Sequence, residues 1–202
     1  MNLDGLLRGL KAQAADGYSM ARSGLVLETA KPYTLNLDSW KVTGTGAALG
    51  TTAGTPSGAF GLTVGTFGSA SPAIFGEAAS GASKTNKMRR QYALPVEYVA
   101  GGNITVRVKG KETVAAAQVA TTIDIAVYKC DKAAGIGSDL CATNAQDVTT
   151  SATNADFSVT PAGLAAGDVL DIEVNIVTND TGGSHGTIAA IYDTEILLDV
   201  QG

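Results

Sequence analysis

The side chains able to do chemistry in this chain are few and scattered. His185 is the only imidazole, in Gly182-Gly183-Ser184-His185-Gly186. A serine relay needs its histidine within hydrogen-bond reach of the nucleophile. Ser184 is adjacent to His185, and strand alternation would send the two side chains to opposite faces, so the pair predicts a solvated turn tip. Cys130 and Cys141 are separated by ten residues that include Gly135 and Gly137. That spacing suits a candidate disulfide closing a hairpin-like loop, with two reduced thiols as the alternative, and it falls short of the four ligands of a structural zinc site. Asp168, Asp171 and Glu173 lie close together, and Asp171 and Glu173 share one face of an alternating run. Such a pair has the spacing to flank a sugar or to join loop oxygens around Ca²⁺, yet no Asp-x-Asp-x-Asp-Gly loop accompanies it. A solvated outer face is the simpler reading. Gly44-Thr45-Gly46-Ala47-Ala48-Leu49-Gly50 has the glycines of a dinucleotide loop, but a helix and an acidic residue about 20 positions on are required, and the next acidic residue is Glu77. No catalytic residue, cofactor or metal site is predicted, and the chain reads as a non-enzyme.

The elements that carry these residues are strands. Ile104, Val106 and Val108 alternate with Thr105, Arg107 and Lys109; Ile123, Ile125 and Val127 alternate with Asp124, Ala126 and Tyr128; Leu170, Ile172, Val174 and Ile176 alternate with Asp171, Glu173 and Asn175. Each run predicts a half-buried antiparallel strand whose apolar members form one core. Further strands are expected at 91–98, 112–118, 147–151, 156–160 and 186–200, the last broken near Asp193. Turn chemistry at Gly101-Gly102-Asn103, Pro161–Asp168 and Asn179–Gly183 separates them. About eight strands with short connections predict an all-β, jelly-roll-like antiparallel sandwich over residues 91–202.

Residues 1–90 read differently, as a long extended N-terminal arm. Leu3, Leu6, Leu7 and Leu10 share one face of a short helix weakened by Gly5 and Gly9. Residues 34–42 alternate in part. Of the 41 residues from 43 to 83, 31 are Gly, Ala, Ser or Thr, and only Glu77 is charged. Such a segment buries little of its own, so its apolar anchors Phe60, Leu62, Val64, Phe67, Ile74 and Phe75 are expected to dock on other chains. The basic stretch Lys84, Lys87, Arg89 and Arg90 is expected to be a solvated junction or a salt-bridging contact to an acidic neighbour. This division implies that deleting residues 1–83 leaves a folded β domain.

The net charge of −5 is uneven: residues 1–90 sum to +4 and residues 91–202 to −9. A basic arm on an acidic body points to protein partners, and the acidic body disfavours nucleic acid. No apolar run is long enough to span a membrane, and no basic start followed by an apolar run marks a secretory signal.

The turn Gly163-Leu164-Ala165-Ala166-Gly167-Asp168, the strand 169–177, the turn Asn179-Asp180-Thr181-Gly182-Gly183 and the closing strand 191–200 resemble β domains of tailed-phage virion proteins. Jelly-roll capsid decoration (cement) proteins are the nearest class. The resemblance implies a virion location, a homotrimer and a major capsid protein as partner, with the arm binding coat subunits and stabilising the shell. The alternative is a phage tail, neck or receptor-binding component whose β domain binds carbohydrate or another host surface. Against a sugar site, residues 91–202 contain no Trp and only four Tyr, at 92, 98, 128 and 192.

Overall fold

The computed structural model describes residues 18–21, 24–52, 59–66, 68–113, 119–131, 135–180 and 188–201. In chain order the strands are β1 (Tyr18–Ala21), β2 (Gly24–Thr34), β3 (Lys41–Val42), β4 (Thr51–Thr52), β5 (Gly61–Thr63), β6 (Ala73–Phe75) and β7 (Ser83–Ala93). They continue as β8 (Ile104–Glu112), β9 (Val119–Asp131), β10 (Gly135–Ile136), β11 (Gln146–Val148), β12 (Thr153–Val159), β13 (Val169–Asp180) and β14 (Ala189–Gln201). A 3-10 turn, Leu37–Ser39, precedes β3.

These strands form an all-β, two-sheet antiparallel sandwich of jelly-roll character. In the eight-stranded sheet, β14 pairs with β2, β6 and β8, and β12 flanks β8; the short β4–β5 pair is parallel. In the six-stranded sheet, β13 lies between β9 and β7, β3 borders β7, and β10 and β11 border β9. The alternating runs do what their pattern predicts. Ile104, Val106, Val108, Ile123, Ile125, Val127, Leu170, Ile172, Val174 and Ile176 are all buried in one core. The expected break near Asp193 is a register shift between Ile191 and Asp193 where β14 meets β8.

The division at residue 90 is corrected: it falls inside β7, which pairs along its length with β13. β2 pairs with β14 over seven residues, so the sandwich takes in much of the segment assigned to an arm. Leu35 and Trp40 are fully buried in the core with the β-domain residues. Trp40 Nε1 donates to Thr194 Oγ1 at 3.2 Å, and Thr194 Oγ1 donates to the Leu35 carbonyl at 2.5 Å.

The apolar anchors likewise find partners within their own chain. Ile74 and Phe75 are buried on β6 against β14. Phe60 and Leu62 are half-buried against the same core, Val64 is exposed, and Phe67 lies outside the described residues, as does the Leu3–Leu10 face. The physical reason is close backbone approach. Leu62 N–H donates to the Gly50 carbonyl at 2.8 Å, and a Cβ on Gly61 would collide with that oxygen. Small residues here pack backbone on backbone, and the few large ones fill the core.

Removal of residues 1–83 is therefore expected to abolish cooperative folding. It deletes β2, Trp40 and Ile74, losses that sum well beyond the roughly 5–15 kcal/mol that stabilises a domain. Circular dichroism and urea melts of residues 84–202 check this; a cooperative transition like that of the full chain would contradict it.

Glu112 ends β8 in a buried position beside the Thr121 hydroxyl, which offsets only part of the cost of burying its carboxylate. Burial raises the Glu112 carboxyl above its ordinary range. The folded state therefore holds this proton more tightly than the unfolded state, and ionisation costs stability as pH rises. Glu112→Gln is expected to raise Tm at about pH 7, with the gain fading towards about pH 4. Equal Tm for variant and parent at both pH values would contradict this.

Candidate functional site

The register of the six-stranded sheet determines what its outer face presents. Opposite Asp171 stand Gln91 on β7 and Tyr128 on β9; opposite Glu173 stand Arg89 and Ala126; opposite Asn175 stand Lys87 and Asp124. Alternation turns all of these away from the core. Apart from Ala126 these residues are polar, and Tyr128 is the aromatic ring among them.

Ion pairs run diagonally across it. Arg89 Nε donates to Asp171 Oδ1 at 2.7 Å, and Lys87 Nζ lies 2.9 Å from Glu173 Oε1. The hydrogen bond to Asp171 raises the Arg89 guanidinium further above its ordinary value. Asp171 is buried, whereas Arg89 is half-exposed, so the pair is held from the β13 side. Beside it lies a trough of about 290 Å³ lined by Thr43, Arg89, Ala126, Tyr128, Asp171 and Glu173.

A hairpin overhangs one side of this trough. Val42 N–H donates to the Ala47 carbonyl at 2.8 Å, Gly46 N–H returns to the Val42 carbonyl at 3.0 Å, and Gly44 takes φ 89° in the turn. The glycines of the sequence Gly44–Gly50 thus build a hairpin tip, and Thr43 N–H ties it to the Lys87 carbonyl at 3.0 Å. Beneath the hairpin is a second cavity of about 410 Å³, lined in part by Ser39, Lys41, Thr45, Arg90 and Gln91. Arg89 lines both cavities.

The basic stretch of β7 is not a solvated junction. Lys84 lies 3.9 Å from Glu77, Lys87 pairs with Glu173, and Arg89 with Asp171. The acidic neighbours of these three cations belong to the same chain. Asp171 and Glu173 share a face as their spacing predicts, and basic side chains stand beside them. Among the described residues no group of three or more His, Cys, Asp or Glu is placed to hold a metal.

The candidate disulfide is also corrected. Both thiols are free. Leu140 N–H donates to the Val127 carbonyl at 2.7 Å, so Cys141 returns beside the middle of β9. Cys130 lies three residues further along β9, roughly 10 Å away, beyond the span of about 4.4–6.8 Å between the Cα atoms of a disulfide. Cys130 stands next to Gln91 on the outer face, and Cys141 Sγ donates to the Thr143 carbonyl at 3.5 Å. Burial raises both thiols above their ordinary range, which disfavours the reactive thiolate. Ser184 and His185 lie outside the described residues.

Of the four β-domain tyrosines, only Tyr128 lines the trough. Tyr98 is buried and donates to the Gly102 carbonyl at 2.7 Å, Tyr92 packs beside Tyr33, and Tyr192 lies under Lys111. The signal for Tyr128 was present in its alternation with Ile123, Ile125 and Val127. Gln91 and Arg89 join it only through strand pairing.

No protein-family model matches this chain, and no curated protein matches it. Several solved structures are similar in shape. The CBM22-1–GH10 modules of Clostridium thermocellum xylanase 10B superpose with TM-score 0.42 at 16% identity, covering 84% of this chain and 28% of that one. The CBM22-1–CBM22-2 tandem domain of Paenibacillus barcinonensis Xyn10C gives 0.44 at 13%, covering 91% and 47%. The xylan-binding module CBM15 gives 0.44 at 12%, covering 84% and 97%. The chain thus spans less than half the length of the first two. The likeness is one of β-sandwich architecture.

The Arg89–Asp171 pair is expected to matter more for stability than its neighbour. Arg89→Leu leaves a buried carboxylate without its cation and should cost about 1–3 kcal/mol, against less than about 1 kcal/mol for Lys87→Leu. Urea melts of the two variants decide it; equal losses would contradict the role given to Asp171 burial.

Proposed function

We propose that this protein is a non-catalytic binding module that reads glycans on the outer face of its six-stranded sheet. The observation that carries this reading is the trough holding Tyr128 beside Arg89, Asp171 and Glu173. A sugar ring offers an apolar C–H face and a rim of paired hydroxyls. An aromatic ring receives the first, and fixed carboxylate and guanidinium groups receive the second by hydrogen bonds in the sugar plane. Here the polar groups are oriented by the sheet and by one another, which lowers the ordering cost of binding. Among the described residues this surface presents hydrogen-bonding groups and an aromatic ring, which suit binding.

The phage resemblance supplies a setting in which such a domain meets a host-surface glycan, as in a tail or receptor-binding component. The shell-cementing reading leaned on an arm that docks on other subunits. Burial of Ile74 and Phe75 within their own chain leaves that reading without its main support.

A glycan array followed by calorimetry on the best ligand tests the proposal. Tyr128→Ala is expected to weaken binding about tenfold, the equivalent of about 1.4 kcal/mol, with the melting transition unchanged. A blank array, or an affinity indifferent to Tyr128, would overturn it.

A further inference from the structure

Of the four cations on β7, Arg90 alone has no carboxylate within ion-pair distance among the described residues. It is also the one most removed from water. Its guanidinium lies 5.8 Å from the centre of the Trp40 ring, and its Nε is buried without a hydrogen-bond partner. Nη1 donates to Ser39 Oγ at 2.6 Å, and Ser39 Oγ in turn donates to the Asn36 carbonyl. Burial lowers the Arg90 guanidinium from its ordinary value, the opposite of the shift on its ion-paired neighbour Arg89. A cation held out of water without a counter-charge is costly, and supplying an anion recovers that cost.

The place where that anion would sit is already formed. Arg90 lines the 410 Å³ cavity under the hairpin together with Lys41, which also has no ion-pair partner among the described residues. Asp38 is the acidic group felt by Arg90, and it makes no salt bridge with it. Trp40 is fully buried and cannot itself touch a ligand. Its contribution is to hold the guanidinium from below, anchored through Thr194 to β14. Gln91 and Thr45 add neutral polar groups to the wall, and Arg89 joins this cavity to the Tyr128 trough.

We propose that this cavity is the anion-reading end of the glycan site and takes the carboxylate of a uronic acid unit on Arg90 and Lys41, while the adjoining sugar lies along Arg89 towards Tyr128. The proposal rests on the glycan reading given above and specifies the substrate class. A planar guanidinium, with its parallel N–H groups, suits a carboxylate better than a hydroxyl. A carboxylate also explains why a cation pocket is kept on a chain whose net charge is −5: local complementarity sets specificity where the overall field repels.

Calorimetry of the full chain against three probes tests this: an oligouronate, the same oligomer with its carboxyl groups reduced to hydroxymethyl, and a poly-glutamate peptide. The oligouronate is expected to bind at least about tenfold more tightly than its reduced form. Arg90→Gln and, separately, Lys41→Gln should erase that difference while leaving the reduced oligomer's affinity unchanged. The second variant avoids the Trp40 contact and so guards against a folding defect. Equal binding of the two oligomers would overturn the anion pocket and leave the glycan reading standing. Binding of poly-glutamate alone, or of no probe, would overturn the uronate pocket, and only a blank glycan array beside it would overturn the glycan reading as well.

Discussion

The pairing of β13 with β9 on one side and β7 on the other is the constraint on which the rest of the structure depends. It runs without a shift from Val169 to Asp180 against β9 and from Val169 to Asn179 against β7. Leu170, Ile172, Val174 and Ile176 face inward because of it, and Asp171, Glu173 and Asn175 face outward. A slip of one residue would exchange the two sets and bury three polar side chains. The core and the outer polar face are therefore two results of a single register. No change in one leaves the other untouched.

The electrostatics follow from the same geometry. The carboxylates of β13 meet the cations of β7 at diagonal spacing, so an acidic part of the chain and a basic part neutralise each other within the sheet. The half-chain sums of +4 and −9 thus reflect one domain whose two strands were counted apart. On the far sheet Arg107 makes a two-pronged contact with Asp156 at 2.7 and 2.8 Å, and the Asp156 carboxyl is held below its ordinary range by it. That face carries its own satisfied pair, while Arg90 and Lys41 at the cavity under the hairpin make no ion pair among the described residues.

What was legible in the sequence was whatever repeats every second residue. The runs at 104–108, 123–127 and 170–176 announced strands, core and solvent face together. β7 hid because its inward positions include Asn86 and Arg90 beside Met88, so hydrophobicity does not alternate along it. β6 hid for a different reason. Ala73, Ile74 and Phe75 are buried in succession, which carries no period at all, and the surrounding Gly and Ala read as slack chain. The site was less visible than the fold. Tyr128, Gln91 and Asp171 are distant in sequence and meet only as a cross-strand row, and no single-chain pattern encodes which strand lies beside which. The cysteines misled because spacing alone says nothing of the path by which a loop returns.

The placement of β14 has a consequence for how the protein is made. β14 pairs with β2, β6 and β8, and all three leave the ribosome before it. Until β14 emerges, each of them presents backbone donors and acceptors that have no mate, and Trp40 waits for the threonine 154 positions later that receives its indole hydrogen. Contacts this far apart in sequence form slowly, and exposed strand edges invite pairing with other nascent chains. The eight-stranded sheet can therefore close only once β14 has emerged, and the yield of folded protein should depend on how well those early strands are shielded in the interval.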